Sequence, residues 1–207
     1  MEILTKILSA SAELFRQYGF KAITMDDIAR RAGISKKTLY QHFANKQEVV
    51  TESVNWYKCQ INDECTALVK DSGNAVEAMV RTSEMMSQAY KQMNPHALVE
   101  LQRFYPETYD LFKKKLLQTD IEMLKENILQ GMSEGYYRND LNADLMARYR
   151  LEISLIMFQP NLLVNDRYDM LFVSQEILEH FIYGIVTPKG EKLYQKYKEN
   201  YLKQVSK

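Results

Sequence analysis

Apolar residues recur along this chain at helical spacing, and no stretch of useful length alternates with the period of a strand. Leu4, Ile7, Leu8, Ser11, Leu14, Phe15 and Tyr18 make a first stripe, which Gly19 stops. Two short helices are expected next. Thr24 is a good N-cap, and Asp27 three residues on completes a variant of the capping box. Ile28, Ala29 and Ala32 form an apolar face, and Gly33 supplies the left-handed residue that ends the helix. Ser35 caps the second short helix, whose Leu39 and Phe43 lie one turn apart on the inner side. Asn45 with Glu48 signals another start. Val50, Val54, Tyr57, Ile61 and Leu68 carry that long helix to about Val69, and the run Asp71 to Asn74 breaks it.

The rest of the chain continues the pattern. Val76, Met79, Val80, Ser83, Met86, Tyr90 and Met93 mark a helix that Asn94 and Pro95 end. A short helix spans His96 to Tyr105, and a long one follows Pro106 through Tyr109, Phe112, Leu116, Ile121, Leu124 and Ile128, its end weakened by Gly131 and Gly135. Asn142 caps a helix from Ala143 to Phe158 that Pro160 stops, and another runs from Tyr168 to Val186. Both carry apolar residues on more than one face, which suggests a partner surface, or else two interior helices of a monomer. A final basic helix covers Lys189 to Lys203.

Length and charge refine this picture. The 207 residues fit one large or two small domains. Formal net charge is zero, but residues 1–50 hold a net of +3 and the remainder −3. The positive excess sits with the two short helices, as the electrostatic footprint of a nucleic-acid reader should. Two cysteines, Cys59 and Cys65, are too few for a disulfide scaffold. No apolar run is long enough to span a membrane and the start does not read as a leader, so a cytoplasmic protein is expected. His42, His96 and His180 fall in different elements without a second ligand at metal spacing. No phosphate loop, nucleophile elbow or paired-carboxylate motif is present. No cofactor is expected, and an enzyme has little support.

The segment Thr24 to Lys46 reads as a helix-turn-helix, whose second helix can enter the major groove. At 100° per residue Lys37 and Gln41 point away from Leu39, and Thr38 and Tyr40 flank them. Lys36 lies in the first turn and can swing outward. Lysine suits guanine O6 or N7, and glutamine suits adenine. Tyr40, His42 and Lys46 carry donors for phosphate oxygens. The same geometry also occurs in proteins that never touch DNA, so periodicity alone leaves both readings open.

The residues themselves go further. Ala12-Glu13-Leu14-Phe15, Tyr18-Gly19-Phe20, Thr24 to Ala29, Ala32 to Ser35, Thr38 to Phe43 and Asn45 to Glu48 resemble the N-terminal domain of TetR-family transcriptional regulators, without a gap over roughly residues 3–54. The resemblance implies an all-α protein with two parts. An N-terminal three-helix helix-turn-helix domain, 1–48, would bind double-stranded operator DNA. A larger C-terminal helical domain, 49–207, would bind a small-molecule effector and form a homodimer. By position, Lys36, Lys37, Thr38 and Gln41 would face bases, while Thr38, Tyr40, His42 and Lys46 would reach phosphates. Lys37 departs from the small residue often found there, which puts the operator sequence in doubt. Met86, Tyr90, Met93, Phe104, Tyr105, Tyr109, Phe112, Met157 and Phe158 are candidates to line the effector cavity. The family is mostly repressors, which makes repression the expected sign. The rival classes are a helical adaptor and a small-molecule enzyme using the same cavity.

Overall fold

This computed structural model describes residues 2–91, 93–158 and 170–205, except the side chains of 157 and 200–205. Its helices are α1 (Ile3–Tyr18), α2 (Met25–Ala32), α3 (Lys36–His42), α4 (Lys46–Lys70), α5 (Ala75–Tyr90), α6 (Ala97–Phe104), α7 (Pro106–Lys115), α8 (Ile121–Ser133), α9 (Ala143–Leu155), α10 (Met170–Ile185) and α11 (Pro188–Val205). A π turn at Leu116–Asp120 joins α7 to α8, and a 3-10 turn at Ile156–Phe158 ends α9. Among the described residues no strand forms; one isolated bridge pairs Tyr137 with Val186. The fold is all-α, as the hydrophobic period required. The expected stop at Pro160 and start at Tyr168 lie outside the described residues.

The chain divides into two compact units: Met1–Glu64 with Gln92–Lys115, and Cys65–Lys91 with Leu116–Lys207. The first of these units takes in α6 and α7 along with the N-terminal helices. The reason is packing: Ala97 and Leu101 of α6 are buried in the same apolar cluster as the first three helices. The cluster joins Ile7, Leu8 and Phe15 of α1, Ile28 of α2, Leu39 of α3, Phe43, and Val49 and Val50 of α4. Phe15 stacks on Phe20 with ring centroids 4.9 Å apart. The ends of the first stripe stay outside, since Leu4 and Tyr18 are exposed. Polar ties reinforce the unit: the Asn94 amide donates to the Arg16 carbonyl at 2.6 Å, and Arg16 donates to the Tyr57 hydroxyl at 2.6 Å.

The second unit gathers α5, α8, α9, α10 and α11. Val76, Met79, Ile121, Ile128, Ala147, Leu151, Phe181, Ile182 and Ile185 form its buried surface. Tyr137 is fully buried, and its hydroxyl donates to the Ala75 carbonyl at 3.2 Å. The helix does end near Gly131 and Gly135, at Ser133, but Gly131 also has a packing task. α8 runs through it, and its missing side chain is what admits Tyr137: a Cβ there would stand 2.1 Å from the ring. Gly131→Ala is therefore expected to cost about 1–3 kcal/mol of stability through overpacking, read by urea denaturation.

Candidate nucleic-acid interface

The two short helices form because each start and stop is satisfied locally. Thr24 accepts from the Asp27 amide at 3.2 Å while its own amide donates to Asp27 Oδ2 at 3.0 Å, completing the capping box. The Thr24 hydroxyl and amide bonds hold the Asp27 carboxyl below the usual carboxylate range, with Arg30 and Lys46 adding to it. Gly33, at φ 68°, ends α2 in a left-handed cap, and the Ile34 amide returns to the Ala29 carbonyl at 3.0 Å. Ser35 accepts from the Thr38 amide at 3.0 Å and starts α3. Leu39 and Phe43 are then buried at 0% and 3% exposure, which fixes the opposite face of α3 outward.

On that outward face Lys37, Tyr40, Gln41 and His42 are exposed, and Thr38 is half-buried with its hydroxyl 2.8 Å from Ser35 Oγ. Two expected residues sit differently. The Lys36 ammonium is paired with Asp26 at 2.8 Å, and that hydrogen bond raises its pKa. Lys46 is half-buried: its ammonium donates to the Phe20 carbonyl, and burial lowers its pKa against the pull of Glu100 and Asp27. Next to it, the Glu48 amide donates to Asn45 Oδ1 at 3.0 Å, so the start of α4 is side-chain capped. A second pair, Arg31 with Glu13 at 2.6 Å, ties α2 to α1. Sequence spacing missed Asp26 and Glu13 because neither lies one turn from its partner.

The described candidate effector residues fall in both units. Met93 and Phe112 line a cavity of about 90 Å³ in the first unit, with Phe15, Val54, Tyr57 and Leu101 among its other walls. Tyr105 and Tyr109 pack against the core of that unit, and Phe104 is exposed. In the second unit Tyr90 meets Phe158 edge to face at 5.7 Å, and Met86 is half-buried. The side chain of Met157 lies outside the described residues.

Comparison with known proteins gives this arrangement its setting. Residues 7–52 match the model of bacterial regulatory proteins of the tetR family. The HTH-type transcriptional repressor KstR2 of Rhodococcus jostii is 31% identical over 156 residues, covering 70% of this chain and 72% of that protein. The chain belongs to the TetR family. Its structure is also similar to that of the ketosteroid transcriptional regulator KstR2 of Mycobacterium tuberculosis, with 25% identity, a TM-score of 0.54, and coverage of 88% and 94%. The reduced form of Escherichia coli NemR shares the fold, with a TM-score of 0.73 at 15% identity over 90% and 99% of the two chains. As a TetR-family member the chain is a DNA-binding transcriptional regulator and not an enzyme. Among the described residues no helix is long and apolar enough to cross a membrane.

The bond from Lys46 to Phe20 gives this lysine a structural task. Lys46→Met is expected to lower the stability of the free protein by about 1.5–3 kcal/mol, the scale of a hydrogen bond involving a charged group. Thermal denaturation without DNA is the measurement, and an unchanged midpoint would leave Lys46 with DNA alone.

Proposed function

We propose that the chain is a repressor that binds a near-palindromic operator as a homodimer and releases it when a small molecule occupies the helical part. The observation that carries this reading is the outward face of α3, where Lys37, Tyr40 and Gln41 stand exposed above a helix anchored by Leu39 and Phe43. In this reading Lys37 and Gln41 face bases, with Thr38 beside them, while Tyr40 and His42 donate to phosphates. Lys36 joins only by leaving Asp26, and Lys46 only by leaving the Phe20 carbonyl. Residues 1–48 act as the reading head and 49–207 as the dimerising, effector-binding part.

Exposed apolar side chains support the dimer. Leu145, Tyr149 and Ile156 on α9 and its last turn, with Phe172 and Tyr183 on α10, are large and exposed in the single chain. Joined twofold, two reading heads would meet half-sites about 34–36 Å apart. A ligand that favours another spacing removes simultaneous engagement, and avidity with it. The names of the KstR2 relatives support repression as the sign.

Selection of bound duplexes from a random pool, followed by titration on the selected site, tests the reading; failure to enrich any duplex would defeat it. On that site Lys37→Ala is expected to change which bases are preferred. Tyr40→Phe is expected to weaken every duplex alike, by about 1 kcal/mol for one lost bond. Leu145→Glu with Ile156→Glu is expected to give monomers in sedimentation and to weaken operator binding by removing the second reading head.

A further inference from the structure

A cavity of about 230 Å³ lies between α5, α10 and α11, all in the second unit. Its walls include Glu84 of α5, Phe172, Glu176 and Glu179 of α10, and Tyr194 and Lys198 of α11. None of these was expected to meet a ligand from the sequence.

Two polar side chains here lack partners among the described residues. Tyr194 is only 4% exposed, yet no hydrogen bond reaches its hydroxyl. Tyr183 packs edge-on against its ring at 5.7 Å, and the hydroxyl lies in the field of Glu179 and Glu84. The hydroxyl oxygen itself still reaches the cavity space, where a donor or acceptor on a ligand can meet it. Glu84 has neither an ion pair nor a hydrogen bond. Arg81, one turn before it, already pairs with Asp71 at 2.9 Å and with Glu77 at 3.7 Å. Lys198 already pairs with Glu179 at 2.5 Å. Among the described residues, then, Glu84 has no ion pair of its own and feels Arg81 only from a distance.

We propose that this cavity binds a small organic cation, an amine or quaternary ammonium on an apolar body, with Glu84 as its counter-charge. Three carboxylates face one lysine across the space, which repels anions. Phe172 offers the apolar body a wall, and the ring of Tyr194 can face the charge. The Tyr194 hydroxyl accepts an ammonium N–H. A metal ion fits less well, because among the described residues no group of three or more His, Cys, Asp or Glu is placed to hold one. Burial raises the Glu84 carboxyl to about 7. The charged and titratable groups facing it are Arg81 on its own helix, Glu176 and Glu179 on α10, and Tyr194 and Lys198 on α11. A bound cation favours the ionised carboxylate, so affinity for a permanent cation rises with pH through about 7 and then levels.

Occupancy of the cavity stands on the geometry above; only its consequence for DNA rests on the effector reading. Calorimetry on the full chain tests it with benzyltrimethylammonium, phenethylammonium, neutral 2-phenylethanol and anionic phenylacetate. Both cations are expected to bind at pH 8, the alcohol at least tenfold more weakly, and phenylacetate not at all. Affinity for benzyltrimethylammonium should fall roughly tenfold from pH 8 to pH 6, as Glu84 takes up its proton. Glu84→Gln should cost at least tenfold for either cation with the melting temperature maintained. Tyr194→Phe should weaken phenethylammonium, which donates N–H, and leave benzyltrimethylammonium unchanged. Absence of cation binding, equal binding of the alcohol, a flat pH profile or full affinity in Glu84→Gln would each overturn the site. A cation that binds yet leaves operator affinity unchanged would uphold the site and count against the effector reading instead.

Discussion

The exposed outer face of α3 exists because Leu39 and Phe43 are taken into a core that α3 cannot build by itself. A seven-residue helix has little stability of its own in water, since nucleation costs more than so few turns return. Two side chains on one side hold it, and they are buried with Ile7, Phe15, Ile28, Val49 and Val50. Everything on the other side follows: once the inner pair is fixed, the 100° step places Lys37 and Gln41 outward. The core remains small even so, and small cores are marginal. Ala97 and Leu101 enlarge it from a helix far along the chain, which is why the compact unit does not end where the motif ends.

The second unit depends on a different device, a polar hub at the start of α5. The Ala75 carbonyl takes donors from both Asn127 at 2.9 Å and Tyr137, while its amide donates to Glu134 Oε2 at 2.9 Å. Asn74 caps the helix by accepting from the Glu77 amide, and its own side-chain nitrogen donates to the Tyr197 hydroxyl at 2.9 Å. One helix end thus gathers the segments around α8 and α11 through directed bonds, where apolar packing alone would allow sliding. Burial leaves Tyr137 a far weaker acid than a free phenol, which keeps its donor in place at any ordinary pH.

Most of the helix plan was readable because apolar period and punctuation agree. Thr24 with Asp27, Gly33, Ser35, Asn45 and Asn74 are local signals, and each appears as a cap or turn in the structure. What stayed hidden was long-range. Nothing near Gly131 announces that Tyr137 will enter the space its side chain leaves. Nothing near Lys46 announces the carbonyl of Phe20, twenty-six positions earlier. The π turn at Leu116–Asp120 was also invisible, since it shifts the helical phase by one residue without any breaker. The effector candidates were chosen by residue type, and type does not decide which side of a helix meets which neighbour. Glu84 and Tyr194, which share a cavity, are separated by more than a hundred positions.

Asp26 and Glu13 give the DNA-facing part counterions of its own. In free solution a cationic surface gathers mobile anions, and duplex binding gains entropy when small ions on both partners disperse. A carboxylate anchored to the backbone cannot disperse. In the proposed role, Lys36 would have to leave Asp26 to face a base, and the displaced carboxylate would stay beside the groove and repel it. Contact with arbitrary sequence thereby loses part of its usual drive, while a site that also satisfies the base-facing side chains can overcome the penalty. On the proposed contacts, the tethered acids would set a threshold, trading overall grip for discrimination.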